Sequence, residues 1–188
     1  VDILTDRDAT RDRVIAAFTA LASRTDADST VLVWFSGRAS VDADGATTIF
    51  LADDNLSSTV KGLTAADVDR MLDRLRSQRV VVIFDTSGGC AGMSVHVGRV
   101  LLSATLPEEA AYSGSDGGRG GDFTSAIVRA LNGGAVSRGY DLSVFDIFEY
   151  AQAEVVTYGK QHPTIGMRWG EIGFPIAKRP LAASVPNA

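Results

Sequence analysis

The stretch Val80-Val81-Val82-Ile83-Phe84-Asp85-Thr86-Ser87-Gly88-Gly89-Cys90 carries the strongest pattern in this chain. Apolar, mostly β-branched residues follow one another without alternation, as expected of a strand buried on both faces. The run stops at an acid, and small, flexible residues follow. Asp85 is therefore expected at the carboxyl end of a strand, with Thr86 to Cys90 in the turn beyond it. In open α/β sheets, reaction and ligand sites gather at that end. A second run of the same character, Val31-Leu32-Val33-Trp34-Phe35-Ser36, passes into Gly37-Arg38-Ala39-Ser40. If the two strands are parallel in one sheet, Arg38 and Ser87 reach the same edge from two loops.

The rest of the chain alternates helical and extended patterns. Thr10 is placed to cap a helix through about Ser23, with Val14, Ala17, Phe18 and Leu21 on one face. Thr64 caps a second helix through about Arg76, with Asp67 at the reciprocal capping position and Val68, Met71, Leu72 and Leu75 inward. A third opens at Asp122 or the glycines before it, carries Phe123, Ile127, Val128 and Leu131, and stops at Gly133-Gly134. A fourth runs from about Ser143 to Tyr158. Val1 to Leu4 reads as the tail of a strand, and Thr47–Leu51 and Arg99–Ala104 as strands. Gln161–Met167 and Phe174–Ala177 are weaker ones. Tyr112 to Gly121 is a Gly/Ser/Asp loop. This order implies an α/β fold, a mostly parallel sheet with helices on both faces.

Composition narrows the function classes. The 188 residues suffice for one well-cored domain, and 45% hydrophobic with 22% charged residues is ordinary for a globular protein. A net charge of −5 with no basic run argues against a nucleic-acid partner. No apolar run approaches the ~20 residues that span a bilayer, so no membrane partner is expected, and the start shows no signal-peptide pattern. The single cysteine, Cys90, excludes an internal disulfide and fits a reducing compartment, so the cytoplasm is the expected location.

The succession LTDRDATRDRVIAAFTAL, VLVWFSGRAS, IFLADD, VVVIFDTSGG, VLLSATLPEEAAY, GDFTSAIVRAL resembles the caspase-like fold of bacterial metacaspases, the peptidase C14-like domains. The resemblance covers the chain to about Lys178. It implies a three-layer, caspase-like domain over 1–178 and a loose tail over 179–188, with the family's first strand and helix falling before Val1. Each motif alone is weak, and the specificity lies in their order and spacing. The family's strand-end motif F-S-G-H-G is matched by Phe35-Ser36-Gly37-Arg38-Ala39, so Arg38 stands where the catalytic histidine would be. Its D-x-C-H-S-G is matched by Asp85-Thr86-Ser87-Gly88-Gly89-Cys90, so Ser87 stands where the nucleophilic cysteine would be. The family implies peptide-bond hydrolysis, but both members of the dyad are replaced.

The replacements are chemically severe. A Cys–His dyad works because a thiol titrates near neutrality and an imidazole takes and returns a proton. A guanidinium stays protonated and only donates hydrogen bonds. A serine hydroxyl needs an adjacent base, and general-base catalysis contributes ~10²–10⁴-fold. The expectation is an inactive caspase-like module, a pseudopeptidase, that binds a protein or basic peptide or regulates. The alternative is a divergent cysteine or serine endopeptidase cutting after basic residues, with Cys90 or Ser87 as nucleophile. Cys90 reads more plainly as a small apolar filler. His96, between Val95 and Val97, reads as a strand or surface residue, and His162 as part of a late loop.

In the resembling family, carboxylates near strand ends form a pocket for a basic side chain. Asp54, Asp85 and Glu108 are the candidates for such a binding groove. Arg38 is expected to pair with Asp85 or one of these acids, filling the vacant dyad position. Arg119 lies in the glycine-rich loop, where some family members are cut on activation; a flexible connector is the plainer reading. Some members use Ca²⁺, but their acids find no match here, so no metal is expected. Asp85-Thr86-Ser87 also resembles the D-x-S-x-S of von Willebrand A-type domains, yet Gly89 replaces the third ligand. Caspase-like sheets also pair edge to edge, and monomer or homodimer stays open.

Overall fold

The computed structural model describes residues 1–54, 62–115, 117, 120–137, 139, 141–159, 161–168 and 174–178. In chain order the elements are α1 (Arg11–Arg24), β1 (Thr30–Ser36), β2 (Ala39–Val41), β3 (Thr47–Ile49), β4 (Leu63–Thr64), α2 (Ala65–Leu72), β5 (Arg79–Asp85), β6 (Arg99–Ser103), α3 (Asp122–Arg129), β7 (Asp141–Ser143), α4 (Val144–Val156), β8 (Thr164–Met167) and β9 (Pro175–Lys178). Both continuous apolar runs are thus strands. They lie side by side, parallel and in register, from Thr30 beside Arg79 to Ser36 beside Asp85.

The main sheet has the order β1-β5-β6-β8, with β8 antiparallel to the other three. The inner strand β5 explains the missing alternation. Val80, Val82 and Phe84 face a core closed by α1 and α2 through Val14, Phe18, Val68 and Met71. Val81 and Ile83 face the opposite core, closed by α3 and α4 through Phe123, Ile127, Ile147 and Ala151. Both faces are covered, so every position from Val80 to Phe84 is apolar and at most 4% exposed. Burying each such side chain contributes about 1.5–3 kcal/mol relative to leaving it in water. The same alternation points Asp85 toward α3. The result is a three-layer α/β architecture with the mostly parallel sheet in the middle.

The helix starts are specified locally in two cases. Thr64 and Asp67 form a reciprocal capping box at α2, and Ser143 and Asp146 do the same at α4. At α1, Thr10 occupies the cap position but its side chain makes no capping bond. The carboxylate of Asp53 accepts the Arg11 N–H instead, at 3.0 Å. This long-range cap joins α1 to the segment after β3. Beyond α3 the chain makes one wider turn through Ala130–Gly134, within which Gly133 has φ 106°. That left-handed conformation explains the glycine there.

Several expectations are corrected. Val1 to Leu4 forms no strand: no neighbouring strand pairs with it among the described residues, and Val1 and Ile3 are exposed. An extended segment without a ladder has nothing to hold it as sheet. α2 ends at Leu72, followed by a turn at Asp73 and Arg74, although Leu75 still packs inward. Two short sheets lie outside the main one, β2-β3-β4 and β7 with β9. Of their strands, β3 and β9 lie on the expected Thr47–Leu51 and Phe174–Ala177 segments, whereas β2, β4 and β7, of two or three residues, leave too little pattern to read. Arg119 and the tail over 179–188 lie outside the described residues. Among the described residues no helix is long and apolar enough to cross a membrane.

Candidate functional site

The parallel register sets up the site. Ser36 and Asp85 are partners at the ends of β1 and β5, and the Gly37 N–H donates to the Asp85 carbonyl at 3.2 Å. The loops carrying Arg38 and Ser87 leave the sheet from adjacent points. Arg38 and Ser87 therefore reach the same edge, as the sequence implied.

The loop after β5 is tightly held. Gly88 and Gly89 both have positive φ, at 74° and 57°, which turns the chain sharply away from the strand. The Thr47 hydroxyl donates to the carbonyls of Gly88 and Gly89 at 3.1 and 3.2 Å. The Gly88 N–H donates to the Glu109 carbonyl at 3.0 Å. The Ser87 hydroxyl oxygen accepts the Ala111 N–H at 3.0 Å. Thus Ser87 is half-buried and already engaged by backbone.

Arg38 is exposed, and the expected pairing with Asp85 is not made. Asp85 is buried at 4% exposure on the α3 side of the sheet. Solvating a guanidinium costs less than burying it beside one carboxylate, which accounts for its outward position. The acids expected to line one groove are not gathered. Asp54 accepts the Leu51 N–H within its own turn at 2.6 Å, Glu108 is exposed on the loop after β6, and Asp85 lies beneath Gly121.

Among the described residues neither histidine hydrogen-bonds Ser87, although His162 lies at the same edge of the sheet, two residues before Thr164, which pairs with Ser103 at the end of β6. His96 is exposed in the turn before β6, at the opposite end of the parallel sheet from Asp85. The His162 ring meets Glu109, whose carboxylate also accepts the backbone N–H groups of His162 at 2.9 Å and Leu106 at 3.1 Å. Burial pushes the Glu109 carboxyl up, but these hydrogen bonds outweigh it and leave it below its ordinary range. Cys90 packs against the α1–α2 core, and burial pushes its thiol up. A thiol held neutral is a poor nucleophile.

Three neighbours of Asp85 were not recognised from sequence. The N–H of Thr124, in the first turn of α3, donates to Asp85 Oδ2 at 3.1 Å. Gly121 lies against the carboxyl group, where any Cβ would collide. Asp122 is 1% exposed, and its Oδ1 accepts the Ser115 N–H at 2.9 Å. Burial chiefly, and the Asp122 charge in addition, push the Asp85 carboxyl above its ordinary range, against the Thr124 hydrogen bond. The one signal for this cluster was the pair Gly121-Asp122 at a helix start. An acid there usually signals only a solvated first turn.

A cleft of about 700 Å³ runs along the outer side of β1, lined by Leu4, Phe18, Leu32, Trp34 and Phe50 among others, and reaches Gly37 and Thr86. None of Asp54, Asp85 and Glu108 lines it. Among the described residues no three His, Cys, Asp or Glu side chains cluster to hold a metal ion.

Parallel strands between two helical layers, with two short loops meeting at the strands' carboxyl ends, place this protein among the three-layer α/β proteins whose sites lie at that edge. The chain belongs to the caspase-domain family, whose model matches residues 1–168. No curated protein matches it significantly. Among solved structures it is similar to protein GSU0716 from Geobacter sulfurreducens, with 16% sequence identity and a TM-score of 0.64. That match covers 96% of this chain and 81% of the other. At this identity the likeness is one of fold.

Proposed function

We propose that this chain is a catalytically inactive caspase-like module that binds a protein or a basic peptide, in a scaffolding or regulatory role. The observation that carries the reading is the pair Arg38 and Ser87 at the two loop positions where a Cys–His dyad would meet. Arg38 has no lone pair with which to take a proton. Ser87 has an N–H donor on its oxygen and no hydrogen bond to an imidazole among the described residues. Cys90, the one thiol, is held neutral by burial. The half-buried Asp54 and the exposed Glu108, on separate loops, are the side chains proposed to favour a basic partner; Asp85, buried against α3, is left out of that role.

The test is cleavage of a peptide library with basic and acidic P1 residues, with and without Ca²⁺, beside Ser87→Ala and Cys90→Ala variants. Binding of labelled basic peptides is followed in parallel by anisotropy. Turnover no higher than in the variants, with binding weakened by Asp54→Asn or Glu108→Gln, supports the proposal. Cleavage abolished by one variant overturns it and identifies the nucleophile.

A further inference from the structure

Two contacts tie the loop after β5 to the loop after β6. The Gly88 N–H donates to the Glu109 carbonyl at 3.0 Å, and the Ser87 hydroxyl oxygen accepts the Ala111 N–H at 3.0 Å. A carbonyl and an N–H two residues apart, both turned toward one neighbour, are what an extended residue offers a sheet edge. Here they flank Ala110, and the Ser87 hydroxyl takes the place of a backbone acceptor. Glu109–Ala111 thus meets Ser87 and Gly88 through the same groups that an extended peptide would use.

Little apolar surface holds these three residues down. Ala110 is exposed, and Glu109 and Ala111 are half-buried. Polar contacts from the segment before β8 fasten them on both sides. On one side the Tyr112 N–H donates to Oε1 of Gln161 at 2.7 Å, and Nε2 of that side chain donates to the Ala104 carbonyl at 3.2 Å. Gln161 is 1% exposed, so this anchor is dry. On the other side the Glu109 carboxylate meets the His162 ring and accepts the N–H groups of His162 and Leu106. The His162 side chain is 57% exposed, so the ring contact is solvated and weak. Segments with few buried apolar contacts and solvated polar ones open first.

We infer that Glu109–Ala111 is an autoinhibitory strap: it occupies the positions at Ser87 and Gly88 that a bound peptide would take, and the contact between Glu109 and His162 sets how readily it lifts. The dry anchor of Tyr112 on Gln161 stays in place as the strap moves. The strap deepens the proposed function as the regulation of the same site, and rests on that reading for what displaces it. A partner binds the lifted form, so its apparent affinity scales with the fraction of the chain in which the strap is lifted.

The test is amide hydrogen exchange of Gly88 and Ala111 in the full chain, normalised to intrinsic rates, with Tyr112 and Thr124 as references. Binding of a labelled peptide of alternating Ala and Arg is followed beside it by anisotropy. His162→Ala removes the ring contact, and His162→Asn keeps a side-chain N–H donor close to the place of Nδ1. His162→Ala is expected to lower the protection of Gly88 and Ala111 by about threefold or more and to leave Tyr112 and Thr124 unchanged. Peptide binding is expected to tighten by the same factor. His162→Asn is expected to keep the protection of the unaltered chain. Saturating peptide is expected to open Ala111 to exchange. Equal protection in His162→Ala and the unaltered chain overturns the strap, as does a loss shared equally by Tyr112 and Thr124. Peptide bound with Ala111 as protected as before overturns it too. Lifting in His162→Ala with no peptide bound sinks the binding reading and leaves the strap standing, whereas peptide binding with unchanged protection sinks only the strap.

Discussion

Asp85 and Gly121 touch across the boundary between the sheet and α3: a Cβ placed on Gly121 would lie 1.8 Å from Oδ2 of Asp85 and 2.5 Å from its Cγ. Neither side gives easily, because Asp85 is the last residue of a central strand and Gly121 is the cap of a helix. Overpacking of this kind costs about 1–3 kcal/mol. Gly121→Ala should therefore lower the melting temperature by roughly 3–10 °C for a chain of this size. The cause is checked by combining it with Asp85→Ala, which removes the colliding atoms. The double variant should recover most of the loss attributable to residue 121.

Arg99 offers a second measurement. It is 6% exposed at the start of β6 and pairs with Asp69 at 3.3 Å and Asp73 at 2.8 Å. Asp69 is itself buried, and its other oxygen accepts the Ser94 N–H at 2.8 Å. Arg99→Ala leaves a buried carboxylate with one amide donor and no counter-charge. Denaturant unfolding should show a loss of about 3–5 kcal/mol. Adding Asp69→Asn should give back a part of it, since a neutral amide is cheaper to leave unpaired. A loss equal in the single and double variants would mean that packing of the Arg99 stem dominates.

These two cases show what sequence could and could not reveal. The layer order was legible because β1 and β5 are apolar on both faces, and because Thr64–Asp67 is a capping box within four consecutive residues. The edge shared by Arg38 and Ser87 followed from two parallel strands of similar character. The partners of Asp85 did not follow, since Gly121, Asp122 and Thr124 are brought to it by tertiary packing from some 36 to 39 positions away. The same holds for Asp53, which caps α1 from 42 positions along the chain. Arg38 was expected to fill the vacant dyad position and pair with an acid near that edge, but the desolvation cost kept it in water.

Cys90 should behave as a packed side chain rather than a reactive thiol. Burial raises its thiol, and it leans on the α1–α2 core. Alkylation of the folded chain at neutral pH is expected to be more than about tenfold slower than of the chain in denaturant. Cys90→Ala should lower stability by about 1 kcal/mol and leave peptide binding unchanged. Rapid alkylation of the folded chain would reopen Cys90 as a nucleophile.

Asp85 also fixes the sign of a pH effect on stability. Its carboxyl is raised in the folded chain, by burial first and by Asp122 as well, above the unfolded value of about 3.9. The folded state then binds more protons than the unfolded state between the two values. The contribution of Asp85 is fully present below the unfolded value and is lost as the pH rises through the folded one. Other carboxylates act in the opposite direction: the Asp67 carboxyl lies below its ordinary range because hydrogen bonds from Thr64 and Arg11 outweigh its desolvation. The whole-protein profile therefore hides the Asp85 effect. It is isolated as the difference between Asp85→Asn and the unaltered chain, measured by denaturant unfolding from pH 4 upward. That difference should move in favour of the variant as the pH rises and level off above the folded value. A difference that stays constant with pH would mean that the Asp85 carboxyl titrates alike in the folded and unfolded chain.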